Sequence, residues 1–416
     1  MKKILFIFAA AALMCACADS KSDPTLPGDS EWTGDIADGG ITSDDGTPGE
    51  GGGGESGETG NEQGEAGRVT AGEWRDLDNW LFWSNLMTQQ KADQEGNDYT
   101  GMSDYWKLYT NNRVAVRVTN EAGALQKDVP VQVVRINDGK QTVLYEARTD
   151  NKGETNLWIG LTQMQQEVDA TNLALIVNGK QHGEPVAVTN WGEEVEWNNC
   201  TASVNALPNI DIAFIVDATG SMYDEIAFLK ADLTNIIQTV GTKHSDATIR
   251  TAALFYRDEG DDYVTKVQDF SKDLSKTVNF ISKQNADGGG DYPEAVHTAL
   301  AVGLQKLSWR EDNSIRLAFM LLDAPPHKND QVIESLQKSI PQYAQRGIRI
   351  IPVAASGVDK NTEFFLRFTA LATDATYVFI TNDSGIGGEH IAATVGDYEV
   401  ELLNELIVRL IDQYLQ

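Results

Sequence analysis

The sequence predicts an α/β protein in which a doubly wound, mostly parallel sheet follows an antiparallel β-sandwich. After Pro208, strongly apolar strands alternate with helical patterns, which is typical of a parallel sheet covered on both faces. Between residues 113 and 157, apolar and polar residues alternate between Gly-containing turns, as in half-buried antiparallel strands. The 416 residues are 41% hydrophobic, which is enough for packed cores in two or three domains.

Residues 1–17 predict a lipoprotein signal peptide. Met1-Lys2-Lys3 precedes an apolar run of 13 residues, Ile4 to Ala16, which is too short for a membrane-spanning helix. The stretch Leu13 to Cys17 resembles a bacterial lipoprotein box. We therefore expect cleavage before Cys17 and lipidation of its thiol, so that a lipid anchor alone holds the protein to a membrane. The alternative is an ordinary signal peptide, cut after Ala16 or Ala18.

Residues 18–69 predict a disordered, acidic, Gly-rich linker. Between Asp19 and Gly67 there are 13 Asp or Glu and 14 Gly, with Lys21 as the single base. Such a segment cannot bury enough apolar surface to offset its ordering entropy. Asp19 and Asp23 resemble the export signals of Bacteroidetes surface lipoproteins. We therefore expect a lipid-anchored protein of the cell outer membrane, and both the periplasmic and the cell-surface face remain open.

Residues 70–206 predict an aromatic segment followed by the β-sandwich. Trp80, Trp83 and Met87 recur at helical spacing, which favours packing onto the β domain over a sugar-binding aromatic platform. Residues 113–157 resemble the carboxypeptidase-regulatory-like and Ig-like β domains of bacterial surface proteins, and nothing catalytic is visible there. The predicted strands centre on residues 114–118, 129–133, 143–149, 173–177, 186–188 and 195–197.

Residues 207–416 predict the Rossmann-like, doubly wound domain. A closing helix is expected over residues 400–415. In such sheets, ligands bind beyond the carboxyl ends of the strands, where the winding direction reverses. The predicted buried strands are residues 210–216, 251–256, 315–322, 348–354 and 377–380.

Oxygen-bearing side chains follow two of these strands. Asp217, Thr219 and Ser221 alternate in one tight loop, and Asp323 follows a neighbouring strand. Carboxylates and hydroxyls are the ligands that Mg²⁺ and Ca²⁺ prefer. A Gly-rich loop, Gly288 to Glu294, lies between them in the chain.

These residues resemble the von Willebrand factor type A domain, whose metal-ion-dependent adhesion site, MIDAS, joins an Asp-x-Ser-x-Ser loop, a Thr and an Asp. The resemblance covers residues 207–416. It implies that Asp217, Thr219, Ser221 and Asp323 bind one Mg²⁺, or Mn²⁺ or Ca²⁺, with Asp217 bound directly or through water. Five motifs carry it, at residues 217–222, 256–258, 289–294, 307–309 and 323–327.

The Gly-rich loop, which corresponds to the second loop of the family site, departs from the family pattern. No threonine stands at the family position, which aligns with Gly290 or Asp291. We take Asp291 as a ligand. Three carboxylates would then neutralise a divalent ion, so the site should attract an acidic partner less than the family site does.

Other chemistries find little support. The 62 acidic and 33 basic residues give a net charge of −29, which argues against nucleic acid as a partner. There is no nucleotide-binding Gly motif and no Gly-x-Ser-x-Gly elbow of a hydrolase. There is also no His-Glu-x-x-His zinc pair, so His244, His297 and His327 are interpreted as structural. The acidic run of residues 257–262 is either a solvated turn, which we favour, or a second calcium site.

The functional prediction is a cell-envelope lipoprotein that binds a protein or peptide through a divalent cation and is not an enzyme. The resemblance implies that an acidic side chain of the partner can complete the metal shell. The alternative is a scaffolding surface protein whose β domain makes the contacts and whose metal site is vestigial or only stabilising.

Overall fold

The structure is a computed structural model that describes residues 64–88, 98–164, 168–204, 209–245, 247–311 and 313–415. The predicted signal peptide, Cys17 and residues 18–63 of the predicted linker lie outside the described residues. Among the described helices, none is long and apolar enough to span a membrane. Residues 60–416 form one compact unit.

The described chain contains fifteen strands and eight α-helices, numbered in chain order. The strands are β1 Thr70–Trp74, β2 Arg113–Thr119, β3 Pro130–Asn137, β4 Lys140–Arg148, β5 Glu154–Trp158, β6 Leu173–Val177, β7 Lys180–Gln181, β8 Trp197–Thr201, β9 Asn209–Asp217, β10 Thr248–Tyr256, β11 Thr265–Ser271, β12 Ser314–Leu322, β13 Ile348–Ala354, β14 Tyr377–Ile380 and β15 Glu401–Leu402. The helices are α1 Trp80–Thr88, α2 Tyr99–Trp106, α3 Tyr223–Lys243, α4 Leu274–Ile281, α5 Val296–Lys306, α6 Asp330–Gln345, α7 Lys360–Ala372 and α8 Leu403–Leu415.

The larger sheet has eight strands in the order β11-β10-β9-β12-β13-β14-β1-β15. Five neighbouring strands of this sheet are parallel, and they are the five that the apolar runs predicted. They are β10, β9, β12, β13 and β14. The winding reverses at β9, because the chain passes first to β10 on one side and later to β12 on the other. The carboxyl ends of β9 and β12 therefore border the crevice where this fold class places its ligands.

Helices cover both faces of this sheet. α3 contacts α4 and α8, whereas α6 contacts α5 and α7. The central strands read as continuous apolar runs because neither face meets water: all nine residues of β12 are buried. The doubly wound α/β prediction is confirmed in this part of the chain.

The other two sheets form a small β-sandwich, with strand orders β5-β2-β8 and β4-β3-β6-β7. Asp138 and Gly139 both have positive φ, 49° and 76°, and form the tight turn between β3 and β4. The sandwich is not purely antiparallel as predicted, since β8 runs parallel to β2 after a long connection. The strand predicted at residues 186–188 is absent from the described chain, where Thr189 makes only a single bridge to Arg113.

Residues 70–206 and 207–416, predicted as separate domains, share strands and core. β1 pairs with β14 and β15 in the larger sheet. The aromatic segment packs on two sides: the ring of Trp80 lies 6.0 Å from that of Trp158 in the sandwich, but Trp83 stacks at 5.7 Å on Phe364 of α7. The predicted packing onto the β domain is therefore observed for Trp80, and the segment packs onto α7 as well.

Buried ion pairs also join the two parts. Arg316 of β12 donates to both carboxylate oxygens of Asp128, at 2.9 and 3.1 Å. Arg367 of α7 makes a two-pronged pair with Asp76, at 2.6 and 2.9 Å. Buried charges of this kind need their partners, so each pair constrains how the sandwich and the sheet meet.

Candidate functional site

The first loop begins where β9 ends, at Asp217. Its Oδ1 accepts hydrogen bonds from the backbone N–H of Thr219 at 2.9 Å and from the Thr219 hydroxyl at 2.7 Å. The hydroxyls of Thr219 and Ser221 lie 3.1 Å apart. Asp217 and Thr219 are buried, whereas Ser221 is exposed at the mouth of the site. The loop therefore gathers one carboxylate and two hydroxyls at a single point.

Asp323 joins this group from the neighbouring strand. β12 pairs with β9 in parallel register up to Leu321 and Val216, so both strands deliver the following residues to the same edge. Asp323 is buried, and its carboxylate interacts with the hydroxyl of Ser221. The structure thus brings together Asp217, Thr219, Ser221 and Asp323, the four residues that the first and fifth motifs singled out.

The Gly-rich loop contacts the first loop through backbone atoms. The N–H of Gly220 donates to the carbonyl of Gly288 at 3.0 Å, and the N–H of Asp287 donates to the carbonyl of Ala218 at 3.1 Å. Gly289 has φ +70°, and a Cβ there would lie 2.9 Å from Glu294 Oε1 and 3.2 Å from Thr219 Cβ. Only glycine fits this position without displacing its neighbours.

The buried carboxylate of the second loop is Glu294, not Asp291. Asp291 is exposed, whereas Glu294 is 2% exposed and lies beside Gly289 and Thr219. Its N–H donates to the carbonyl of Pro325 at 2.9 Å, which ties it to the loop that carries Asp323. This glutamate ends the Gly-Gly-x-Asp-x-Pro-Glu motif of residues 289–294, whereas the family threonine aligns with Gly290 or Asp291, so the sequence predicted the aspartate.

The acidic run of residues 257–262 contributes to the site and is not only a solvated turn. Asp258 is buried and lies 2.6 Å from Nε2 of His327, which follows the Asp323 loop. The carboxylate of Asp261 accepts from the N–H of Gly289 at 2.9 Å. His327 was interpreted as structural, and the sequence did not predict this pairing because it joins two loops that are 69 residues apart.

Burial and mutual repulsion raise the pKa of three carboxyl groups here. Burial raises the pKa of Asp217 to about 6, although hydrogen bonds from Thr219 act in the opposite direction. Burial and then the charge of Asp217 raise the pKa of Asp323 to about 7. Burial, followed by the charges of Asp217, Asp258 and Asp323, raises the pKa of Glu294 to about 9. A cation among them would relieve this repulsion.

The donor set fits a hard cation. Within the described part of the chain, Asp217 Oδ2, Asp323 Oδ1 and Glu294 Oε2 are buried without a hydrogen-bond partner. Buried oxygens in proteins normally have a partner, so three together mark a place for a proton donor or an ion. Over the same described ranges, no three His, Cys, Asp or Glu side chains group closely enough to hold a metal by themselves. The hydroxyls of Thr219 and Ser221 would have to supply part of the shell.

A family model described as von Willebrand factor A domain matches residues 211–385. These residues form a von Willebrand factor A domain. The match runs from β9 to just beyond β14 and includes all three loops of the site.

Two curated proteins are similar to part of this chain. The alpha-protein kinase vwkA of Dictyostelium discoideum is 28% identical over 165 residues, which are 39% of this chain and 26% of the kinase. An ariadne-like RING finger protein of Acanthamoeba polyphaga mimivirus is 30% identical over 131 residues, 32% of this chain and 12% of that protein. The chain therefore spans about a quarter and about an eighth of these relatives.

Among solved structures, the conserved hypothetical protein BatB from Bacteroides thetaiotaomicron is similar over 49% of this chain and 98% of its own. Its sequence identity is 11% and the TM-score is 0.35.

Proposed function

We propose that this chain is a cell-envelope lipoprotein whose von Willebrand factor A domain binds a protein or peptide partner through one divalent cation, Mg²⁺ or alternatively Mn²⁺ or Ca²⁺. A lipid on Cys17 would hold it at the outer membrane. It acts by recognition and carries out no chemical turnover.

The observation that carries this proposal is the convergence of Asp217, Thr219, Ser221 and Asp323 at one sheet edge above unpartnered buried oxygens. Thr219 and Ser221 would bind the ion through their hydroxyls, and Asp217 and Asp323 would bind it directly or through water. Glu294 replaces Asp291 as the second-loop candidate. The bound ion would supply a coordination position open to the partner, and von Willebrand factor A domains commonly bind proteins.

Calorimetric titration of Mg²⁺, Mn²⁺ and Ca²⁺ into chelator-treated protein tests the metal site. We expect one saturable site that is lost in Asp217→Ala and weakened at least tenfold in Glu294→Gln. Asp291→Ala is the matched control, because it removes an exposed carboxylate from the same loop. Equal affinity for Asp217→Ala and the unmodified protein would contradict the proposal.

A scaffolding role is the second candidate, favoured by a groove between the aromatic segment and the sandwich. This groove of about 530 Å³ is lined in part by Leu81, Arg117 and Trp197, and Leu81 is exposed. If partner binding survives Asp217→Ala and Ser221→Ala but is lost in Trp197→Ala, the contacts lie in the groove and the metal site is not the recognition site.

A further inference from the structure

One buried carboxyl group near the site takes no part in the metal shell proposed above. Glu225 lies in the first turn of α3, four residues after Ser221, and is 1% exposed. Its Oε1 accepts from the N–H of Ser356 at 3.0 Å and lies 2.9 Å from Nε2 of His390. Ser356 lies in the loop after β13, and His390 lies in the β14–β15 segment, residues 381–400. One carboxyl group therefore joins the start of α3 to two other parts of the chain.

The β14–β15 segment fits closely around this carboxyl group. Gly387 has φ +82°, and a Cβ there would lie 2.1 Å from Glu225 Oε1, so the position requires glycine. His390 is 5% exposed, and its Nδ1 lies 2.9 Å from Oδ1 of Asn382. The same oxygen accepts from the backbone N–H of His390 at 3.0 Å, so Nδ1 carries a hydrogen and donates it. Nε2 and Oε1 then share one proton, carried by the imidazolium or by the carboxyl group.

The two parts of the chain that meet Glu225 are themselves held in place. The N–H of Gly357 donates to the carbonyl of Glu389 at 3.0 Å, which joins the loop after β13 to the β14–β15 segment. The N–H of Thr394 donates to Glu363 of α7 at 2.6 Å. The hydroxyl of Tyr292 donates to the carbonyl of Gly357 at 3.2 Å, so the Gly-rich loop is tied to the same network. The start of α3 is therefore held against an anchored surface.

The charge of Glu225 also acts on the metal site. Burial, and then the charge of Asp217, raises the pKa of Asp323, and the charge of Glu225 acts in the same direction. Oε2 of Glu225 is buried and has no hydrogen-bond partner within the described residues. The proton shared with His390 therefore offsets a charge that would otherwise add to the repulsion among the buried carboxylates.

We propose that Glu225 and His390 are positioning residues for the metal site, which hold the start of α3, and with it Ser221, where the serine hydroxyl can bind the cation. This rests on the proposed function for the existence of the bound ion. Neither side chain enters the metal shell. Groups that orient metal ligands from outside the shell typically change metal affinity by about 10–100-fold. Removing the pair should therefore weaken metal binding although every proposed ligand remains in the chain.

Calorimetric titration of Mg²⁺ into two variants separates hydrogen bonding from packing. His390→Phe keeps a ring but loses both nitrogens, and we expect it to bind Mg²⁺ at least fivefold more weakly than the unmodified protein. His390→Gln places an amide N–H near the position of Nε2, and we expect its affinity to fall no more than twofold. If the ring only fills space, Phe will serve as well as His.

The matched control is the same substitution at the other end of α3. His244 follows the last residue of this helix and lies 2.6 Å from Asp412. His244→Phe also removes a pair between an imidazole and a carboxylate, and it should change the Mg²⁺ affinity less than twofold.

The imidazole NMR signals of the unmodified protein give a measurement that needs no folded variant. The chain has five histidines, and the signal missing from His390→Gln identifies that of His390. We expect the His390 signal to shift on addition of Mg²⁺ and to saturate together with the heat of binding. The signal of His244 is the internal reference and should not shift.

Two results would overturn the inference while the proposed metal site stands. They are an unchanged Mg²⁺ affinity in His390→Phe, and a His390 signal that does not respond when the unmodified protein is saturated with Mg²⁺. Absence of Mg²⁺ binding to the unmodified protein would overturn the proposed function, and this inference with it.

Discussion

At the level of single residues, burying the carboxyl groups of Asp217, Asp323 and Glu294 beside one another costs free energy. Each would be ionised in the unfolded chain at neutral pH, but the folded protein holds the pKa of each above its ordinary value, mainly by burial. Carboxylates that repel one another in this way are typical of functional sites, where a bound ligand offsets the repulsion that the fold leaves uncompensated.

The raised pKa values predict that metal affinity rises with pH. Protons occupy these carboxyl groups below their pKa values of about 6, 7 and 9, and a cation must displace them. We expect Mg²⁺ to bind at least tenfold more tightly at pH 8 than at pH 6, with proton release on binding. Calorimetry in buffers of different ionisation enthalpy measures both quantities. An affinity that is constant between these pH values would contradict this assignment of the site.

The site was partly predictable from the sequence at this scale. Asp217, Thr219, Ser221 and Asp323 follow apolar strands that are easy to recognise, so their meeting could be predicted from strand order. The choice between Asp291 and Glu294 could not, because both are acidic and three residues apart. The difference depends on the fold: Gly289 has a positive φ, and the N–H of Glu294 donates to the carbonyl of Pro325. Together they place Glu294 inside the protein and leave Asp291 in water.

At the scale of elements, the strands divide by how apolar they are. The five central strands were predicted because they are buried on both faces and read as apolar runs. β11 is a mostly half-buried edge strand, and β1 contains Gly and Glu, so neither carries the pattern of a buried strand. β1 takes its place by pairing with β14 and β15, whose partner residues lie more than 300 positions away in the chain.

The carboxylate of Asp128, just before β3, pairs with Arg316 of β12 and with Arg148 of β4, which predicts a large effect of one charge. Asp128→Asn leaves Arg316 buried without its carboxylate and removes the pair with Arg148, and we expect it to lower the free energy of unfolding by about 2–4 kcal/mol. Asn also tolerates the positive φ of 57° at this position, so backbone strain is not the cause. Urea denaturation measures the change.

Glu65→Ala is the control for Asp128→Asn, because both side chains of the Glu65–Arg68 pair are exposed. Its removal should cost less than about 1 kcal/mol. Equal costs for Asp128→Asn and Glu65→Ala would mean that the ion pair between the sandwich and the sheet contributes little to stability.

At the scale of the whole molecule, the sandwich, the aromatic segment and the von Willebrand factor A domain form one compact unit. The predicted boundary at residue 207 follows a real change in sequence pattern. It could not reveal the shared core, because Trp83 and Phe364 or Arg367 and Asp76 meet only after the chain has folded back over nearly 300 residues.

The shared core predicts that the domain does not stand alone. A chain of residues 207–416 would expose the edge of β14 and the aromatic face of α7, and would leave Arg367 buried without Asp76. We expect it to aggregate or to unfold at a temperature at least 10 °C lower than residues 60–416, which should unfold in one transition. Gel filtration and thermal denaturation compare the two. Equal stability would show that the domains fold independently.

Crystallography of the protein soaked in Mn²⁺, with anomalous data collected at the manganese edge, tests directly whether these loops bind a cation. We predict one strong peak about 2.0–2.4 Å from the hydroxyl oxygens of Thr219 and Ser221, with Asp217, Asp323 and Glu294 around it. Saturating Mn²⁺ with no peak between these loops, or with its only peak elsewhere on the protein, would contradict it.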